Sequence, residues 1–200
     1  MSFVDVFSVG DPDEEPEPEE TVSPPWWGPP DDELGVALPQ NLVLGRSERG
    51  VVALSHTVVY STGVAFQFIA LARGLGRNDV HRLFHEQHAF NDELPDGFLR
   101  LGVELADGRR VSNIGARRAR MMGGQGEPEG PVFLAHGGGG GSSHHNRVSM
   151  KPAYWLWPMS LPGELKLSCE WPIADIPLTT AAIDGRAFSE AAKRVQRLWE

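Results

Sequence analysis

Three histidines raise the first chemical question. His81, His85 and His88 stand in the run NDVHRLFHEQHAFND, spaced by four and then three. On a helix those positions share one face, where three imidazoles can hold zinc and leave a fourth coordination position open. Glu86 is adjacent and Asp92 is near. The order departs from the His-Glu-x-x-His zinc signature, because Glu86 is followed by Gln87-His88. A metal-dependent enzyme or sensor is the function this cluster would support. A surface connection rich in histidine is the competing reading.

Two further clusters bear on chemistry. Arg109 and Arg110 precede Arg117, Arg118 and Arg120 in a glycine-containing stretch. That group suits anions, either the phosphates of a nucleic acid bound by a regulator or an acidic segment of the same chain. The second cluster runs from His136 through Gly137 to Gly141, then Ser142, Ser143, His144 and His145. Five consecutive glycines lose the most backbone freedom on ordering, so a flexible hairpin tip is expected, with metal or anion capture as the alternative. No Gly-Lys-Ser/Thr follows, which excludes a phosphate-cradling P-loop. No nucleophile elbow, triad ordering or dinucleotide fingerprint is present. No catalytic residue and no organic cofactor is assigned; zinc is the one cofactor considered.

The charge is divided along the chain. The net charge is −9, yet the first 45 residues hold eleven acidic residues and no lysine or arginine. The remainder holds sixteen acidic residues against all eighteen basic ones. This is an acidic arm on a nearly neutral body, and +2 on the body is weak support for nucleic-acid binding. The arm, residues 1–35, is expected to be largely disordered. Asp11 to Glu20 (DPDEEPEPEE) has no apolar surface to bury and repels itself. Trp26 and Trp27 sit between two Pro-Pro pairs, and Phe3 and Phe7 lie in a short apolar segment ahead of the acidic run. Either the two indoles fold back over an apolar patch of the body, or they dock a partner with Phe3 and Phe7 as a second anchor.

Residues 36–200 carry the periodicity of a single β domain. Leu165, Leu167, Cys169 and Trp171 alternate with Glu164, Lys166, Ser168 and Glu170. Ahead of them, Trp155 and Trp157 share one face, with Tyr154 and Leu156 on the other. Pro162-Gly163 suits a turn, so a tryptophan hairpin is expected over 153–172, each arm closed by a Trp-Pro pair. Val51–Tyr60 and Val64–Arg73 read as two more strands. Phe98–Ala106 alternates cleanly and turns at Asp107-Gly108. About eight strands at short spacing indicate an antiparallel β-sandwich. Near the C-terminus the period changes: Phe188, Ala191, Ala192, Val195, Leu198 and Trp199 fall at helical spacing, predicting an amphipathic helix over 186–199.

The single cysteine, Cys169, falls on the apolar face of a strand and excludes an internal disulfide framework. There is no basic leader and no apolar run long enough to span a membrane. A cytoplasmic protein is expected. The runs Leu94–Asn113 and Tyr154–Pro172, with the glycine tract between them, resemble segments of uncharacterised β-rich proteins of high-GC Gram-positive bacteria. The resemblance implies a shared fold over the body and carries no functional residue. The combined expectation is a non-enzymatic module that binds another protein, through the acidic tryptophan arm or through the sandwich surface.

Overall fold

A computed structural model describes residues 23–85, 96–114, 127–137, 140–159 and 163–199. Four strands come first: β1 (Glu33–Leu34), β2 (Val36–Arg46), β3 (Gly50–Val59) and β4 (Val64–Arg73). Helix α1 (Arg77–His85) precedes β5 (Arg100–Glu104) and β6 (Arg110–Ser112). Then follow β7 (Val132–Ala135), β8 (Gly140–His144), β9 (Arg147–Lys151) and β10 (Ala153–Trp157). The chain ends with β11 (Glu164–Trp171), a 3-10 turn (Pro172–Ala174), β12 (Ile176–Asp184), helix α2 (Arg186–Ala192) and β13 (Gln196–Arg197).

The fold is mainly β, and every strand pair among the described residues is antiparallel. A seven-stranded sheet is built on β4, which pairs with β3 on one side. On its other side β10 pairs with Val64–Gln67 and β9 with Ala70–Arg73. Proline has no N–H to donate, so the ladder breaks at Pro152 between β9 and β10. The Gln67 amide fills the break by donating to the carbonyls of Lys151 and Pro152 at 3.0 and 3.2 Å. A four-stranded sheet runs in the order β12-β11-β5-β6, and a two-stranded ladder joins β1 to β13.

The two larger sheets face each other as a sandwich. Alternation sends Val64, Phe66, Phe68 and Ala70 of β4 inward, and Leu165, Leu167, Cys169 and Trp171 of β11 inward from the opposite layer. These residues belong to one buried cluster. Phe66 lies about 6 Å from Phe68, Phe133 and Phe188, edge-on to the last two. The layers also meet at their edges. β2 runs along β12, where a Cβ at Gly45 would stand 2.6 Å from Ile176 Cγ2. That spacing leaves room only for glycine.

Several expectations need correction. Strand pairing is set by distant segments, and thirteen strands are described against about eight expected. The tryptophan hairpin does not form: β10 belongs to the large sheet and β11 to the small one. Trp171 enters the core, whereas Trp155 pairs in register with Ala65 and lies on the outer face of β4's sheet. The helix near the C-terminus covers Arg186–Ala192 and not 186–199. Gln196 and Arg197 leave it to pair with Leu34 and Glu33, and the Leu198 N–H reaches Asp32 O at 2.7 Å. Glu190 pairs with Lys193 at 2.8 Å. The turn of the β8–β9 hairpin falls beyond the described glycines. Gly140 and Gly141 belong to β8, and the turn falls at His145, with φ +55°, and Asn146. The Asp107-Gly108 turn forms as expected between β5 and β6, with Gly108 at φ +84°.

Truncating Phe66 to alanine removes a ring with three aromatic neighbours. The expected loss is about 3–5 kcal/mol of stability, read from the urea midpoint at unchanged m-value.

Candidate functional site

The outer face of the large sheet changes character along its length. Side chains of like parity on β4 are Ala65, Gln67, Ile69, Leu71 and Arg73. At the Arg73 end, the register aligns two rows across the strands. In the first, Arg46 of β2 faces Val51 of β3, Val51 faces Leu71, Leu71 faces Ser149 of β9, and Ser149 faces Ser142 of β8. In the second, two residues along, Arg73 faces Arg147 and Arg147 faces His144. Arg49 precedes β3 beside them, its carbonyl accepting the Arg73 N–H at 2.8 Å.

These side chains border a hollow of about 580 Å³ floored by Val51 and Leu71. Arg49, Arg73 and Arg147 also border a second hollow of about 470 Å³ at the end of the sheet. The loop that carries Arg49 is held by Ser47, whose Oγ accepts the N–H groups of Arg49 and Gly50 at 2.9 Å and donates to Ala174 O. The arginines are thus fixed by strand register and a pinned turn.

Their charge is poorly compensated. Arg49 reaches Asp175 at 3.5 Å, both groups well exposed, a pair worth about 0–1 kcal/mol. Arg73 donates Nε to the backbone carbonyl of Glu48 at 2.7 Å. Among the described residues, the guanidiniums of Arg46 and Arg147 form no ion pair or hydrogen bond. Residues directly opposite on antiparallel strands bring their Cβ atoms to about 4.5–5.5 Å, where like charges are destabilising. Arg73 opposite Arg147 is such a pair. Among the described residues, Glu48 is the one carboxylate bordering the hollow.

Arginine's planar fork suits carboxylates and phosphates through paired N–H donors. The arrangement can therefore bind an anion, and the apolar floor beside it can bury a short side chain of the same ligand. Among the described residues no group of three or more His, Cys, Asp or Glu is placed to hold a metal ion.

The opposite end of the same face is closed by the chain itself. Trp155 is fully buried yet stands apart from the core cluster. Its Nε1 donates to Pro25 O at 3.0 Å, Tyr60 packs edge-on at 5.8 Å, and Trp26 packs edge-on against Trp157 at 5.9 Å. Gly63 must be glycine here, since a Cβ would stand 2.4 Å from the Trp155 ring. Gly28 sits against the His136 ring, whose pKa is lowered by burial, partly offset by the Asp31 carboxylate. Trp27 is 54 % exposed.

The residues singled out by sequence are thus dispersed. His81 and His85 fall in the backbone of α1, but their side chains, like all of His88, lie outside the described residues. Phe3, Phe7, Arg117, Arg118 and Arg120 also lie outside them. Arg109 and Arg110 are ion-paired, to Asp107 and Glu104 at 2.7 and 2.6 Å. His144 and His145 lie Nδ1 to Nδ1 at 2.8 Å beside the hollow. Cys169 is buried, and burial pushes its thiol pKa up, a Thr179 hydrogen bond opposing. Sequence reasoning missed Arg46, Arg49, Arg73 and Arg147. Each ends or flanks a strand, and only the pairing of β3, β4 and β9 makes them neighbours.

No protein-family model, curated protein or solved structure matches the chain.

Two outcomes follow from the covered end. Trp26→Ala uncovers the Trp157 ring, so tryptophan emission should shift to longer wavelength while the far-ultraviolet dichroism stays unchanged. A neutral His136 is favoured in the folded state, so its contribution is complete above the unfolded value of about 6.5 and is lost as pH falls through that value toward the folded pKa. The drop in melting temperature between neutral and mildly acidic pH should therefore be smaller in His136→Gln.

Proposed function

We propose that the protein is a non-enzymatic binding module, and that the arginine end of the large sheet's outer face takes an acidic segment of another protein. The observation that carries this reading is Arg73 set opposite Arg147 with no carboxylate between them, over a floor that includes Leu71, 41 % exposed. A fold gains nothing from that juxtaposition, whereas a carboxylate ligand relieves it. The apolar floor favours a peptide that mixes acidic and apolar residues over a nucleic-acid backbone, which offers phosphates and sugars there. No helix among the described residues is long and apolar enough to cross a membrane. We assign the protein to the cytoplasm on its single cysteine, which is buried and unpaired.

The reading makes stability and binding move in opposite directions. Arg147→Thr removes the like-charge contact and should raise stability by a few tenths to about 1 kcal/mol. The same substitution should weaken binding of a labelled glutamate- and leucine-containing peptide by at least about tenfold, since a charge-assisted bidentate bond is lost. Fluorescence anisotropy and thermal melts on the full chain check both. Tighter binding of single-stranded DNA than of the peptide, or binding indifferent to Arg147, overturns the reading.

A further inference from the structure

The arginine surface just proposed has a candidate occupant within the same chain, and this inference rests on that reading. We infer that the acidic run Asp11–Glu20 docks on Arg46, Arg49, Arg73 and Arg147, so that the chain's own arm competes with any acidic partner.

Reach supports it. The N-terminal segment meets the body on the same outer face as the arginines, because Pro25 receives the Trp155 indole and Trp155 is the register partner of Ala65. Ala65 and Arg73 are eight residues apart on β4, an even spacing that keeps both on one face. At about 3.3 Å per residue the separation is about 26 Å. Counting back from Ser23, Glu20 is three residues away and Asp11 twelve. Extended chain of the polyproline type advances about 3.1 Å per residue, so the acidic run covers distances from about 9 to about 37 Å. Arg73 falls inside that span, at the level of Glu14 and Glu15.

Charge and composition agree with reach. Seven of the ten residues in the run are acidic, and the other three are prolines. The prolines restrict the free chain to extended conformations and so reduce the entropy lost on docking. The surface supplies four guanidiniums, of which Arg46 and Arg147 have no partner among the described residues. No other stretch of the chain pairs this density of carboxylate with so short a tether to that face.

The magnitude follows from tethering. A short flexible link gives an effective concentration of about 1 mM, so a peptide that binds the free surface with a Kd of about 0.1 mM is weakened about tenfold by the arm.

The test uses the full chain and a labelled peptide of residues 11–20 added in trans. It compares the native arm with an arm carrying Asp11→Asn, Asp13→Asn, Glu14→Gln, Glu15→Gln, Glu17→Gln, Glu19→Gln and Glu20→Gln. The neutral-arm chain should bind the peptide about tenfold more tightly, and adding Arg73→Gln and Arg147→Gln to it should abolish the gain. Those glutamines relieve the like-charge pair, so folding is kept, as a melt confirms. Equal binding to native and neutral-arm chains overturns the self-docking and leaves the recognition surface standing. Binding to neither chain overturns both. A gain that survives the arginine substitutions puts the arm elsewhere and overturns the inference. Concentration-dependent dimerisation lost with the neutral arm shows docking between two copies and overturns the intramolecular form.

Discussion

Side chains along Val64–Arg73 alternate between two environments, and most of the structure follows from keeping both satisfied. The inward set, with Phe66 and Phe68, joins the second sheet in one buried cluster. Among the described residues the outward set has no second sheet over it. It is instead divided along its length, with a tryptophan-rich end covered by the N-terminal segment and an arginine end left open. Because three strands pair with β4, its register decides which residues of β3, β9 and β10 accompany each outward position.

That division separates two kinds of energy. Burial of the inward rings is non-directional and accounts for the fold. The arginine end works against the fold, since guanidiniums on facing strands repel. The strand end exposes such a pair beside a turn pinned by Ser47. Local conflict of this kind is where function tends to lie, because stability alone does not select it.

Some features were legible from residues alone. The alternation of Leu165 to Trp171 and the Asp107-Gly108 turn specify strands and a hairpin, since both depend on backbone geometry and neighbours close in sequence. Pairing was less legible. Tyr154–Trp157 and Glu164–Trp171 read as partners, yet each finds its partners elsewhere, the first on β4 and β7 and the second on β5 and β12. β12 went unnoticed because IPLTTAAID lacks clean alternation, as suits an edge strand with few buried positions. The helical period after Ala192 was overridden when Glu33 and Leu34 offered Gln196 and Arg197 a ladder.

The amino-acid sequence by itself determined the class of object: a β-rich body, one buried thiol, and an acidic segment set apart from every basic residue. These depend on composition and on periods of two, which are properties of neighbouring residues. Tertiary structure alone decided that Arg49, Arg73 and Arg147, far apart in the chain, share one face, and that Trp155 lies beneath Pro25 rather than in the core. Which residues meet across strands depends on register between distant segments, and that register is chosen by burial over the whole molecule.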